Sequence, residues 1–169
     1  ASNLTWTLTG PTGTVVSARS FTTSDSLDFA FINSGSPVLS LPAGPYTLTV
    51  NGSGDQTGSY AFRLVDLATA TSVTKGAVVP GALDPANETD LYRFTATAGE
   101  REFFDQQSLS GSFNAYWRLI DPDGTQVFLQ SFSDVNTLTL AQTGTYTLLL
   151  EGRYFDTTPA SYSFVVQPA

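Results

Sequence analysis

For acid–base catalysis the sequence offers carboxylates but neither histidine nor cysteine, both of which are absent from its 169 residues. Their absence excludes Ser-His-Asp and Cys-His catalysis as well as metals held by histidine or thiolate. A carboxylate pair like that of glycoside hydrolases remains formally available, because Glu100 and Glu102 lie on one face of a predicted strand and Glu151 ends another. The simpler interpretation is favoured, in which all three are solvated charges on the outward face of a sheet. We therefore predict that the chain is not an enzyme.

Two acidic stretches have the composition of a calcium site, because hard cations bind clustered carboxylate and carbonyl oxygens. The second, "DPDG", offers Asp121 and Asp123 but lacks the glutamate that closes an EF-hand loop. In the alternative interpretation, Asp84-Pro85 and Asp121-Pro122 begin turns through side-chain-to-backbone hydrogen bonds. No cofactor is required by the pattern, and calcium is the only candidate. The favoured stretch is the first, "DPANETD", with the ligands Asp84, Asn87, Glu88 and Asp90.

Aromatic side chains outside the predicted core are the candidate ligand or interface residues. Tyr154 and Phe155 lie in the loop "GRYFDTTP", and the loop "NGSGDQTGS" at the equivalent place earlier in the chain has no aromatic residue. Phe103 and Phe104 are neighbours on a predicted strand and point to opposite faces. One of these two rings is therefore expected to be exposed or covered by a neighbouring domain.

Three blocks of sequence occur twice in the same order, which indicates an internal repeat. The first copy has an extra segment, "TTSDSLDFAFINSGS" (22–36), that changes the spacing between blocks. Trp6 and Trp117 hold equivalent positions and share a strand face with leucines, which favours core packing over a carbohydrate platform. The matching pairs are "TWTLTGPTGTVV" (5–16) with "YWRLIDPDGTQV" (116–127), "AGPYTLTVNG" (43–52) with "QTGTYTLLLEG" (142–152), and "GSYAFRLVD" (58–66) with "ASYSFVVQP" (160–168).

The blocks are typical of short β-strands, because large apolar residues alternate with polar ones and Gly and Pro separate the runs. The predicted fold is all-β, with two tandem antiparallel β-sandwich repeats of jelly-roll-like form. Residues 1–66 form a partial N-terminal repeat and residues 67–169 a complete one. The predicted core of the second repeat is Tyr92, Phe94, Trp117, Leu119, Tyr146, Leu148, Tyr162 and Phe164.

The N-terminal repeat lacks counterparts of "DLYRFTAT" (90–97) and "EREFFDQQ" (100–107). A sheet that lacks strands leaves backbone groups unpaired at its edge. Upstream residues of a longer protein, the extra segment 22–36, or strands from another chain could complete it. We expect the extra segment and a neighbouring subunit or repeat to do so together, giving a linear assembly.

Four motifs between residues 76 and 167 resemble the bacterial pre-peptidase C-terminal domain family. They are the strand with Asp90, Tyr92 and Phe94, the turn with Ala98 and Gly99, the turn at 121–125, and the strand that begins with Gly144 and Tyr146. The resemblance implies a non-catalytic, eight- or nine-stranded jelly-roll-type sandwich of an exported bacterial protein, located outside the cell or on its surface. Some members of the family bind matrix proteins and calcium.

Charge and repeat structure leave two classes of function. Fifteen acidic residues against seven basic ones give a net charge of −8, which argues against nucleic acid and anionic membranes as partners. No apolar run is long enough for membrane insertion. The favoured class is a structural module of an extracellular array, adhesin or filament, whose partners are copies of itself or adjacent repeats. The alternative is a secreted module that binds polysaccharide or matrix protein, accessory to an exported enzyme.

Overall fold

The computed structural model describes residues 4–21, 24, 38–111 and 114–169. The chain divides into two compact units, Ala1–Leu64 (unit 1) and Val65–Ala169 (unit 2), where the sequence placed the division between residues 66 and 67. Apart from short 3-10 turns, the regular structure of the described residues consists of strands. No helix in this part of the chain is long and apolar enough to cross a membrane. The all-β prediction is confirmed.

Unit 1 contains a three-stranded antiparallel sheet in the order β2-β1-β3. A tight turn joins β1 to β2, and Gly13 takes there a φ of 112° that glycine adopts without strain. Segment 22–36, including the predicted strand "DFAF", lies outside the described residues apart from Ser24. The strands are β1 (Leu4–Gly10), β2 (Gly13–Ser20) and β3 (Thr47–Gly52).

Unit 2 contains two sheets. One has four strands in the order β10-β7-β12-β5, and the other has five in the order β4-β6-β11-β8-β9. All neighbours are antiparallel except β4 and β6. A short 3-10 helix (Leu67–Thr69) precedes β4, with Asp66 as its N-cap. The strands are β4 (Thr71–Ser72), β5 (Val79–Leu83), β6 (Thr89–Ala96), β7 (Arg101–Ser110), β8 (Tyr116–Ile120), β9 (Gln126–Ser131), β10 (Val135–Thr139), β11 (Gly144–Glu151) and β12 (Ala160–Pro168).

The two sheets of unit 2 share one aromatic core, to which both contribute. Trp117 is fully buried, and its ring makes edge contacts with those of Phe132, Phe104 and Phe164. All eight residues predicted for this core are buried, so that prediction is confirmed. Trp6, the counterpart in unit 1, is half-buried, and its Nε1 donates to Ser24 Oγ at 2.6 Å.

The sheet of unit 1 has the strand order of β9-β8-β11 in unit 2, and β1 pairs with β3 in the register that β8 has with β11. The central strand pairs with its hairpin partner on one side, as β1 does with β2 and β8 with β9, and with a later strand on the other. The pairs Trp6↔Val50 and Leu8↔Leu48 in unit 1 correspond to Trp117↔Leu150 and Leu119↔Leu148 in unit 2.

Two local contacts also occur in both units. A Cβ on Gly44 would lie 2.4 Å from Pro11 Cγ, and one on Gly144 would lie 2.7 Å from Pro122 Cγ. The Tyr46 hydroxyl donates to the backbone oxygen of residue 42 at 2.6 Å, and the Tyr146 hydroxyl donates to that of residue 142 at 2.9 Å. The same turn-to-strand geometry is thus found at the positions that the repeated sequence blocks pair.

Candidate functional site

Two of the four predicted calcium ligands, Glu88 and Asp90, accept hydrogen bonds from protein groups. Glu88 Oε1 accepts a hydrogen bond from the Asp84 backbone N–H at 2.7 Å, and the Asp90 carboxylate accepts one from the Tyr162 hydroxyl. Asn87 is exposed. In the described part of the chain, no three acidic side chains lie close enough together to hold a metal ion. The calcium prediction gains no support from this arrangement.

The second acidic stretch is a turn held by Asp121. Its Oδ1 accepts from the backbone N–H groups of Asp123 at 3.0 Å and Thr125 at 2.8 Å, and its Oδ2 accepts from Gln142 Nε2 at 3.1 Å. The two bonds to Oδ1 are the side-chain-to-backbone bonds that stabilise an Asx turn. The turn interpretation of "DPDG" is confirmed.

Asp90 belongs to a hydrogen-bonded network with two tyrosines. The hydroxyl oxygens of Tyr162 and Tyr92 lie 2.7 Å apart. Burial raises the pKa of Tyr162, and hydrogen bonds to Asp90 and Tyr92 raise it further; burial also raises the pKa of Tyr92. Gly81 leaves space for the Tyr162 ring, because a Cβ there would lie 2.3 Å from the ring carbon Cζ. The network satisfies buried polar groups and holds both hydroxyls protonated.

A shallow cleft of about 210 Å³ opens beside this network. Small-molecule sites usually occupy roughly 300–1,000 Å³. Asp90 is the single charged residue among those that line the cleft, and its carboxylate already accepts the Tyr162 hydroxyl. Neither its size nor its lining matches an active site. The lining residues are Val65, Thr69, Thr71, Thr89, Asp90, Leu91 and Tyr92.

The carboxylates of the hydrolase alternative bind cations of the protein. Lys75 Nζ lies 2.7 Å from Glu100 Oε2 and 2.9 Å from Glu102 Oε1. Partial burial works to lower the pKa of Lys75, but its bonds to the two glutamates outweigh this and raise the pKa. The hydrogen bond from Lys75 lowers the pKa of Glu100. The prediction that Glu102 is a solvated charge is wrong, because it is buried on the face of β7 that also carries Phe104.

Glu151 is also buried, and the prediction that it is a solvated outward charge is wrong. Its Oε2 lies 3.2 Å from Nη2 of Arg118, and both side chains are fully buried. Arg118 also donates from Nη1 to Gln126 Oε1 at 3.0 Å. These residues lie on the face of the five-stranded sheet opposite the core, where Ile120 and Leu149 are buried as well. A carboxylate paired in this way is a structural charge and not a free acid or base.

Phe104 is a core residue, so its prediction as a ligand or interface residue is wrong. Its ring is fully buried between those of Phe94, Trp117 and Phe128. Phe103 points to the opposite face of β7, where it is half-buried. The alternation of the strand therefore assigns one ring of the pair to each face, and the inward one is Phe104.

Tyr154 and Phe155 are both about half exposed, in a turn that neighbouring polar residues hold in place. Their rings meet edge to face with centroids 5.2 Å apart. The Arg153 guanidinium lies 5.0 Å from the Phe155 ring centroid and 5.6 Å from that of Tyr116. Asp156 accepts from the Arg153 backbone N–H at 2.9 Å and from Asn114 Nδ2 at 3.0 Å. We call residues 153–156 the aromatic turn. Its partners Asn114 and Tyr116 were not identified from the sequence, because they lie in a different block.

Among the described residues, unit 1 differs from unit 2 in the exposure of four apolar side chains, which we call the acceptor face: Leu48, Tyr60, Phe62 and Leu64. The sequence predicts a strand at 58–66, but the structure has none there. Tyr60 is 51% exposed, Phe62 57% and Leu64 75%, and Leu48 on β3 is 37% exposed. Their counterparts in unit 2, which are Tyr162, Phe164, Val166 and Leu148, are at most 3% exposed.

Strand pairing shows the same difference. In unit 2, β11 pairs with β8 on one side and with β6 on the other. In the described part of unit 1, β3 pairs with β1 alone. An edge with apolar side chains beside it is a surface at which proteins add strands. The acceptor face is therefore the candidate functional site of the chain.

Similarity to known proteins is found among solved structures. No family model and no curated protein matches the chain. PliG of Aeromonas hydrophila, a periplasmic inhibitor of g-type lysozyme, is 17% identical, and the match covers 59% of this chain and 96% of that one with a TM-score of 0.46. PliG of Salmonella Typhimurium is 21% identical, with coverages of 56% and 95% and a TM-score of 0.41. These TM-scores are too low for either likeness to support a function.

Proposed function

We propose that the chain is a non-catalytic structural module of an extracellular or cell-surface array, adhesin or filament of a bacterium. It assembles through contacts between β-sandwich units. The four ordered motifs that resemble the pre-peptidase C-terminal domain support this proposal. It is also supported by the carboxylates, since Glu102 and Glu151 are buried against cations and are not placed for hydrolysis.

The acceptor face is the observation that carries the proposal. Unit 1 has the hairpin, the register and the tyrosine and glycine contacts of unit 2, but its Tyr60, Phe62 and Leu64 side chains face water. An interaction site requires exposed apolar surface, and these three side chains supply it. We infer that the units are tandem jelly-roll-like repeats, and that unit 1 is completed by additional polypeptide.

The test is sedimentation of the full chain over a range of concentrations, together with electron microscopy. We expect association that increases with concentration, and linear particles. A Phe62→Ser, Leu64→Ser variant should sediment as a monomer. The matched control, Tyr154→Ser with Phe155→Ser, removes two aromatic rings that are about as exposed but lie outside the acceptor face, and it should assemble normally. A parent chain that stays monomeric at every concentration would refute the proposal.

The second candidate function is binding of a polysaccharide, and it is favoured by the aromatic turn. Exposed rings next to Arg153, Asn114 and Asp156 combine stacking surface with hydrogen-bonding groups, as sugar-binding surfaces require. The same Tyr154→Ser, Phe155→Ser variant separates the two functions. Loss of retention on insoluble polysaccharides with assembly unchanged would support binding, whereas retention equal to that of the parent chain would exclude it.

A further inference from the structure

In unit 2, β6 occupies a position that no described strand fills in unit 1. β6 runs antiparallel to β11 with Phe94 opposite Tyr146 and Tyr92 opposite Leu148. β3 carries Leu48 at the position of Leu148, and the pairing of β3 with β1 has the register that β11 has with β8. A strand added in the β6 position, at the edge of β3 that no described strand pairs with, would therefore place an aromatic residue opposite Leu48.

In unit 2 the side chains of β6 pack on two rings whose counterparts in unit 1 are less buried. The Tyr92 ring meets the Phe164 ring edge-on with centroids 5.1 Å apart, and the Phe94 ring stacks on that of Tyr146 at 5.7 Å. The counterparts of the covered rings are Phe62, which is exposed, and Tyr46, which is half-buried. Two aromatic residues spaced two apart on one strand would cover both.

The hydrogen bonds of the Tyr162 hydroxyl indicate which polar group the added strand should carry. In unit 2 the Tyr162 hydroxyl contacts Asp90 and Tyr92, both of which come from β6. Its counterpart Tyr60 is half exposed, with its ring centroid 5.5 Å from that of Phe21. A strand with Asp two residues before Tyr would give the Tyr60 hydroxyl an acceptor as well as a neighbour.

We propose that the acceptor face binds an extended polypeptide segment of the pattern Asp-x-Tyr-x-Phe, which adds to the edge of β3 in antiparallel orientation. Main-chain hydrogen bonds to β3 provide affinity, and the two rings and the carboxylate provide specificity. The segment 90–97 carries one acidic and one basic residue, so a strand of this composition is not repelled by the acidic chain. This inference rests on the proposed function and names the kind of strand that an adjacent unit of the array would supply. The segment of this pattern in the chain itself is β6, which already pairs with β11.

The test uses a soluble peptide that copies residues 89–97 and is capped at both ends. It is titrated into the isotopically labelled full chain, at a concentration where sedimentation finds no association. We expect saturable binding, shifts of amide signals in Thr47–Gly52 and in residues 58–65, and slower hydrogen exchange of β3. A control peptide in which Tyr92 and Phe94 are both replaced by Ser should bind at least about tenfold more weakly, since it keeps the backbone but loses both rings.

Variants of the chain locate the binding surface. Phe62→Ser should weaken peptide binding, and Phe155→Ser should leave it unchanged. The proposal is overturned if the peptide does not bind, if both peptides bind equally, or if the shifts are confined to unit 2. It is also overturned if the peptide binds only after Phe29→Ser and Phe31→Ser, because the chain's own segment 22–36 is then the occupant.

The outcome is separable from that of the proposed function. If the peptide binds but the chain never self-associates, the acceptor face is a binding site but not an assembly contact. Self-association of a chain that ignores the peptide rejects this inference and leaves assembly standing.

Discussion

Arg118 and Glu151 form an ion pair from which water is excluded, since both side chains are fully buried. Removing two charges from water costs several kcal/mol for each ion, and their mutual attraction repays this only with good geometry and further hydrogen bonds. Gln126 supplies one of those bonds to Arg118. The pair therefore tolerates the loss of both charges better than the loss of one.

Replacing Glu151 by Gln should lower the free energy of unfolding by about 3–5 kcal/mol, because the Arg118 charge stays buried without its carboxylate. Urea unfolding followed by tryptophan fluorescence measures the change. Glu100→Gln is the control. It removes one carboxylate of a partly exposed ion pair in which Lys75 keeps Glu102, so we expect little effect. A double variant, Arg118→Met with Glu151→Leu, should recover most of the loss. Equal stability of Glu151→Gln and the control would contradict the role assigned to the pair.

Tyr162 should make the protein less stable at alkaline pH. Its pKa is raised in the folded state, first by burial and then by Asp90 and Tyr92. The unfolded chain releases this proton near the ordinary tyrosine pKa of about 10, while the folded chain keeps it. The contribution of Tyr162 is therefore complete below about pH 10 and is lost as the pH rises toward the raised pKa. Lys75, whose pKa is also raised, acts in the same direction.

The measurement is the urea midpoint of unfolding between pH 7 and pH 11. Tyr162→Phe should be less stable than the parent at neutral pH and should lose stability less steeply in the alkaline range. Tyr154→Phe, which removes the hydroxyl of an exposed tyrosine, should follow the parent curve. Parallel curves for the parent chain and Tyr162→Phe would show that this hydroxyl is not the group responsible.

At the scale of the strands and turns, the start of β11 lies close to the turn between β8 and β9, and this approach depends on glycine. Gly144 has a φ of 153°, and its α-carbon packs against the Pro122 ring so closely that a Cβ would lie 2.7 Å from Cγ. A side chain there meets both backbone strain and a rigid ring. The same close approach of Gly44 to Pro11 is found in unit 1.

Gly144→Ala should cost about 1–3 kcal/mol of stability, because it combines an unfavourable backbone conformation with a steric overlap. Gly99→Ala is the matched control, since Gly99 also has a positive φ, of 93°, but no atom within 4 Å of the added Cβ. Its loss should be smaller. Thermal unfolding of both variants measures the two losses of stability. Equal losses would mean that the contact with Pro122 contributes nothing to stability.

Strand alternation predicted the fold and the core but not the buried charges. On β6, β11 and β12 the large residues of one parity are all inward, which is why Tyr92, Leu148 and Phe164 were identified correctly. Glu102 shares its parity with Phe104, and this signal was available in the sequence. Glu151 lies on the other face of its strand, and its burial depends on tertiary packing, which alternation within one strand does not encode.

From the sequence, the candidate site was predicted only as a set of strands that the first repeat lacks. The sequence indicated that counterparts of β6 and β7 are missing from the first repeat, and this follows from matching blocks alone. It also predicted a strand at 58–66, where the structure has Tyr60, Phe62 and Leu64 exposed. Strand formation requires neighbours to pair with, so the same block forms β12 in unit 2 beside β5 and β7 but no strand in unit 1.

At the scale of the whole molecule, net charge opposes what the acceptor face favours. Copies that each carry a charge of −8 repel one another, and salt screens this over about 10 Å at 0.1 M. The apolar contribution to association is not weakened by salt in this way. The association expected in sedimentation should therefore increase as the ionic strength rises, whereas contacts between opposite charges would weaken.

The position of Lys75, the one lysine of the chain, has a practical consequence for chemical labelling. Amine-reactive dyes, cross-linkers and coupling surfaces attack the neutral amine, and the two glutamates that raise the pKa of Lys75 keep it charged and engaged. Lysine-directed cross-linking would therefore under-report neighbours even in a tightly assembled array. A cysteine introduced at an exposed position, in a chain that has none, would report assembly without disturbing this ion pair.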